Sequence, residues 1–292
     1  MKFLTLPAIL VLSWLPFESA LADSNTADAG GQVPVPAISI IIDDLGEKLA
    51  TNLRALRMQE PLTYSILPHT TYGNYLALLA HDLGRETMMH LPMQSQKGLA
   101  LGEGGLTENM NRRQFAVTFR DDLADLPHVS GVNNHMGSLL TQNPRDMRWL
   151  MEEMLQAGPL YFIDSRTTAK TIAYATAVNY TIPSMRRDVF LDNVVNRKAI
   201  TRQFHHLLAL ARRDGTAIAI GHPNTATLDV LGRELPRLQA YGIKLLTVSQ
   251  LIEYQKQIEA SPQWHIVRSD SAADHSRLTA NTSSLVTHNV VP

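Results

Sequence analysis

The chain of 292 residues contains no cysteine. That absence removes a disulfide framework, a thiolate zinc site and a cysteine nucleophile together. Any metal must be held by His, Asp or Glu, and 11 His keep that route open. A charge excess is also missing: 26 Lys+Arg stand against 27 Asp+Glu, for a net charge of −1. Nucleic-acid binders carry a clear basic surplus, so that class is excluded. No Gly-x-Gly-x-x-Gly or Walker loop follows a strand, so nucleotide binding has no support. Past the amino-terminal segment, no apolar run is long enough to cross a bilayer. What is present, 45% apolar and 18% charged residues, is the composition of a globular protein. The length suits one large α/β domain or two small ones.

The two ends read differently from the middle. Residues 1–22 (MKFLTLPAILVLSWLPFESALA) combine Lys2, a short apolar run and a small-x-small site at Ala20–Ala22. This is the pattern of a secretory signal peptide cut after Ala22; an uncleaved anchor is the alternative. The expected product is exported to the periplasm, with no stable membrane insertion after cleavage. Residues 23–36 are small, polar and Pro-punctuated, a flexible lead-in. Residues 257–292 lack a helical or strand period and read as a disordered tail. His265, His275 and His288 fall there and are poor site candidates. The folded unit is predicted over 37–256, as a single domain.

Within it, strand and helix patterns alternate. Ala37 to Ile42 is a continuous β-branched run suited to a strand buried on both faces. Helices are predicted over Glu47 to Met58, through Leu76 to Leu83 with Gly84 as cap, through Phe115 to Leu126, and from Pro144 to Ala157. Further helical stretches are Thr171 to Val178, Ile200 to Ala211 and Leu228 to Leu238, and Ser249 is expected to cap a last one. Strands are predicted at Leu62 to Leu67, Arg85 to Met89, Val129 to Asn133, Leu160 to Ile163, Tyr180 to Ile182, Ala217 to Ile220 and Ile243 to Leu246. Such alternation implies a parallel sheet, closed into a barrel or open and doubly wound.

In parallel α/β folds, chemistry collects at the carboxyl ends of strands. Six predicted strands end there in His or Asp: Asp43-Asp44, His69, His90, Asn133-Asn134-His135, Asp164-Ser165 and His222. Singly, each has a plainer explanation: a helix cap for Asp44, a loop residue for His69, a turn for Asp164. Together, their recurrence at one end points to one rim. Asp44, His90 and His135 make a His₂-carboxylate set, which leaves a position open for water as in catalytic zinc sites. The metal would acidify that water and polarise a carbonyl. Asp43 is then the candidate base and His222 the candidate acid.

The ordered segments IIDDLG, LTYSILP, GRETMMHLPMQ, GVNNHMGS, YFIDS and AIAIGHP resemble the divergent polysaccharide deacetylase family. The resemblance covers roughly Ile38 to Ile252. It implies a distorted (β/α) barrel, usually of seven strands, and metal-dependent removal of acetyl groups from a polysaccharide or peptidoglycan-type glycan. By position, Asp43 matches the family base, Asp44 the metal-binding Asp, His90 the first metal His and His222 the general acid. Asp164 lies where an acid orients that His, and Arg186 or Arg187 near Asp188 belongs to the same support. Two features depart from better-known deacetylases. Gln94 stands where a second motif His is expected, and Asn133-Asn134-His135-Met136 replaces an Arg-x-Pro-Tyr segment. His135 is therefore the expected third ligand, and the expected ion is Zn²⁺. The departures keep a second possibility open, a glycan-binding or regulatory envelope protein on the same fold.

Overall fold

A computed structural model of the protein describes residues 34–261. The predicted signal peptide, most of the lead-in and the tail from residue 262 lie outside the described residues. The strands are β1 (Ala37–Leu45), β2 (Thr63–Ile66), β3 (Glu86–Met93), β4 (Gly131–Met136), β5 (Tyr161–Asp164), β6 (Ser184–Arg186), β7 (Val189–Phe190), β8 (Thr216–Gly221) and β9 (Lys244–Leu245). The helices are α1 (Leu49–Leu56), α2 (Gly73–Asp82), α3 (Arg112–Asp125), α4 (Pro144–Ala157), α5 (Ala173–Asn179), α6 (Arg197–Asp214), α7 (Thr225–Glu234) and α8 (Val248–Glu259).

All pairings are parallel, in the order β6-β5-β4-β3-β2-β1-β8-β7, with β9 beside β1. The sheet curves into an incomplete barrel whose two edges are β6 and β7. This is the α/β barrel architecture expected from the sequence.

The curvature gives the sheet an outer and an inner apolar layer. Side chains alternate across a strand, so Ile38, Ile40 and Ile42 of β1 pack outward with Tyr64, Leu91 and Phe162 against the helices. Ala37 and Ile41 pack inward with Met88, Ile163, Ile218 and Ile220. Burying each such side chain stabilises the fold by about 1.5–3 kcal/mol.

Helix α8 closes the inner layer at the amino ends of the strands. Val248, Leu251 and Ile252 join the inner cluster. Its amino terminus docks on Glu86, the first residue of β3, whose carboxylate accepts from Thr63 Oγ1 (2.8 Å), Tyr161 OH (3.0 Å), Thr247 Oγ1 (2.9 Å) and both the main chain and hydroxyl of Ser249.

Several local expectations are corrected. Strand β3 runs on to Met93, through Pro92; Pro92 lacks an N–H but its carbonyl accepts from Leu106 N (2.8 Å). The strand expected at Tyr180 to Ile182 lies instead at Ser184–Arg186, because Tyr180 and Thr181 turn back onto α5. The cap of α8 is Thr247, in a capping box with Gln250, and Ser249 serves Glu86. The helix also continues past Lys256 to Glu259.

Candidate functional site

Strand alternation decides which polar side chains meet. Two residues beyond the inward Ile41 comes Asp43, beyond Met88 comes His90, and beyond Ile220 comes His222. Asn133 and His135 share one face of β4. All five reach the inner mouth at the carboxyl ends. Asp44 has the opposite parity and would point away. The register of β1 against β2 slips between Ile42 and Leu45, and Asp44 adopts φ 59°. This bulge turns both neighbouring carboxylates inward, the usual local effect of one extra residue in a strand.

Asp44 Oδ1, His90 Nε2 and His135 Nδ1 then form a triangle with 3.1 Å on each side. Among the described residues this is the set of three His, Asp or Glu side chains whose donor atoms converge. Donor atoms around a tetrahedral ion with bonds of 2.0–2.1 Å are spaced about 3.3–3.4 Å apart, so the triangle is close to that size. The protonation pattern agrees. His90 Nδ1 lies 2.7 Å from Asn133 Oδ1, an acceptor that also receives Ser65 Oγ (2.6 Å). The N–H of His90 is thereby fixed on Nδ1, leaving a lone pair on Nε2 facing the other two donors. Asp44 Oδ1 is buried and receives no directed hydrogen bond. Lone pairs gathered around a buried, unsatisfied oxygen fit a cation.

Charges flank the triangle on both sides. Asp43 is 3% exposed; its Oδ1 accepts from Asn133 Nδ2 (2.9 Å) and its Oδ2 lies 3.6 Å from His90 Nε2. Burial raises its pKa despite the opposing pull of His90 and His222. Burial works the same way on Asp44, but His135 and His90 hold its carboxyl far below the usual range. For His90, burial disfavours the charged form and the two aspartates more than offset it, so the pKa rises.

His222 sits across the cleft. Nε2 is 3.5 Å from Asp44 Oδ2, and Nδ1 is 2.9 Å from Asp192 Oδ1. Asp192 is fixed by His222 N, Asn224 Nδ2 and Thr227 Oγ1, each at 2.8 Å. Burial lowers the imidazole pKa, but the hydrogen bond and charge of Asp192, with Asp44 and Asp43, push it up to about 9. The ring also stacks on Phe190 (centroids 5.5 Å apart), which carries the Arg187 guanidinium on its ring at 4.7 Å. Arg187 donates in turn to the carbonyls of Ser165 (2.7 Å) and Arg166 (2.8 Å).

The structure thus gathers Asp43, Asp44, His90, His135 and His222. Asp164 is not among them. It shares the outward face of β5 with Phe162, and its carboxylate accepts from Arg166 N, Thr171 Oγ1 and Tyr174 N at the start of α5. Asp164, expected to orient His222, makes no hydrogen bond to it; the carboxylate on His222 Nδ1 is that of Asp192. His69 pairs with Asp122 instead (2.9 Å). Gln94 Oε1 accepts from Glu108 N (2.9 Å) and so anchors the loop after β3. Asp192 is a site residue that sequence reasoning does not single out, and Asn133 enters that reading only within the strand-end run before His135, with no role of its own. Asp192 lies two positions past Phe190 on a two-residue strand that carries no readable period.

Beside the triangle opens a cavity of about 520 Å³, bordered by Asp44, Lys48, Leu67, His135, His222 and Pro223. A concave site with perturbed acids and imidazoles is where chemistry is expected.

Fold and site together define a parallel α/β protein with a His₂-Asp cluster at the strand ends. The chain belongs to the divergent polysaccharide deacetylase family, whose sequence profile matches residues 40–252. It is 33% identical over 247 residues to the uncharacterized protein YibQ of Escherichia coli K12, covering 85% of this chain and 75% of that one. An uncharacterized protein of Haemophilus influenzae is 33% identical over 225 residues, covering 77% and 80%. Among solved structures, an uncharacterized protein of Agrobacterium tumefaciens C58 superposes with a TM-score of 0.71 at 20% identity, over 76% of this chain and 91% of that one.

Proposed function

We propose that this protein is a metal-dependent hydrolase that removes acetyl groups from a polysaccharide or peptidoglycan-type glycan in the cell envelope. The observation that carries the reading is the 3.1 Å triangle of Asp44, His90 and His135, with Asp43 on one side and His222 on the other. Those three residues would hold a divalent cation, with Zn²⁺ suited to the nitrogen and carboxylate donors. Bound there, the ion supplies Lewis acidity for a carbonyl and for water.

The chain's own groups do the rest. Asp43, buried and raised in basicity, takes the proton from the attacking water. Asn133 holds that carboxylate through Nδ2 while fixing the His90 tautomer through Oδ1. His222 is an imidazolium at neutral pH; Nδ1–H is held by Asp192, and Nε2–H faces the cleft to protonate the departing amine or alcohol. The leader-like residues 1–22 support an envelope location.

The test is acetate release from acetylated envelope glycans with metal added. Asp43→Ala and His222→Ala should each lower turnover by about 10²–10⁴-fold, the usual worth of a general base or acid. Asp44→Ala should abolish both stoichiometric metal and turnover. Metal and glycan binding without acetate release would instead identify a binding protein on this fold. Unchanged turnover in Asp43→Ala and His222→Ala would overturn the roles of these two residues as base and acid.

A further inference from the structure

A second cavity, of about 510 Å³, shares no lining residue with the first. It lies where the sheet fails to close. In the β5–β6 ladder, Phe162 N–H donates to Pro183 and Arg187 N–H to Asp164. That register turns the main-chain N–H and C=O groups of Ser184 and Arg186 away from β5. No described residue pairs with them on that open edge. Ser184 Oγ is buried and also lacks a partner. The Arg186 guanidinium lies over the Tyr174 ring at 5.6 Å, and no described carboxylate forms an ion pair with it.

The acids around the cavity are already engaged. Asp188 accepts from Ile218 N (2.8 Å), Asp214 binds Arg213, and Glu259 accepts from Gln255 Nε2 (2.7 Å). Lys256 is paired with Glu253 at 2.7 Å. The uncommitted groups are therefore one guanidinium, two hydroxyls (Ser184 and Tyr174), two amide N–H donors and two carbonyl acceptors. A guanidinium fork matches a carboxylate, and the hydroxyls and amides complete its lone pairs. The carbonyls need donors, which sugar hydroxyls supply. A neutral sugar would bring the guanidinium no counter-charge, and a bare anion would bring the carbonyls no donors. The volume falls in the range of small-ligand pockets, roughly 300–1,000 Å³.

We propose that this lateral cavity is a second carbohydrate site, taking a uronic-acid-type sugar whose carboxylate meets Arg186 and Ser184 and whose hydroxyls meet the open edge of β6. It stands whether or not the strand-end cluster hydrolyses acetyl groups.

The experiment is calorimetric or saturation-transfer titration of the full chain with glucuronate, glucose and acetate. Glucuronate should bind saturably, on the order of millimolar, with glucose and acetate at least about tenfold weaker. Arg186→Gln should weaken glucuronate by about tenfold or more, and Ser184→Ala by several-fold, as for lost hydrogen bonds to a charged group. Asp44→Ala should leave it unchanged, which places binding away from the strand-end cluster. Equal affinity for acetate and glucuronate would mean a simple anion site and overturn the proposal. So would absence of saturable glucuronate binding, or its loss in Asp44→Ala.

Discussion

The Nδ1–H of His222 ends on Asp192, and that contact sets the charge of the ring. A pKa raised from 6.5 to about 9 keeps the imidazolium through neutral pH and loses it as pH climbs through about 9. Turnover should therefore fall on the alkaline side near that value. Asp192→Asn removes the charge that raises it, so the alkaline limb should move to lower pH; a pH–rate profile reads the shift. Asn133 works differently. It touches Ser65, His90 and Asp43 through one amide. Asn133→Ala should weaken metal binding by about 10–100-fold, as losing a ligand's hydrogen-bond partner does, measured by chelator competition. These two residues also mark how far the sequence can be read. Asp43, His90 and His222 are legible because each lies two positions past an inward apolar residue. The same count applied to Phe162 sends Asp164 outward, and applied to Phe190 sends Asp192 inward. Asn133 carries no charge, so its three contacts leave no sequence signal.

Elements with a long period are legible; short ones are not. Helix α4 begins at Pro144 and ends at Ala157 as the apolar stripe and Pro at the first turn dictate. Strands β6 and β7 have three and two residues, too few for alternation to register, and the turn at Thr181 hides where β6 starts. The seat of α8 is equally unreadable, since Glu86 collects donors from β2, β5 and the segment before α8. Replacing it with Ala strands several of those donors. Glu86→Ala should lower unfolding stability by about 2–3 kcal/mol, the cost of unsatisfied buried partners, in urea denaturation, while molecules that remain folded keep their metal affinity. Gly131→Ala tests the same floor from another side. A Cβ there would lie 2.3 Å from the Tyr161 ring, displacing the phenol that reaches Glu86, so it too should destabilise.

For the whole molecule, a cation held by Asp44, His90 and His135 would link three separate strand ends, β1, β3 and β4. Ligand that binds only the folded state stabilises by about 2.7 kcal/mol at a hundredfold excess over Kd. A domain of this size should then gain on the order of 5–10 °C in Tm, taking about 2–4 °C per kcal/mol. EDTA should reverse the gain, and Asp44→Ala should be insensitive to both. Acid should act like EDTA, because protons compete for His90, whose pKa is raised.

Strand β6 runs into β7 through Arg187 and Asp188, whose N–H groups donate to Asp164 of β5 and Ile218 of β8, so the chain itself hands over from one side of the sheet to the other. Beside that link the Arg187 guanidinium donates to the loop after β5 and lies on the Phe190 ring, bracing the rim next to His222. Removing the brace with Arg187→Gln should free the loop after β5 and the Phe190–His222 stack, read as faster amide exchange around residues 165–168 with the β5–β6 ladder unchanged. The lean of that rim is then trimmed by a side chain, which a single substitution can retune without rebuilding the sheet.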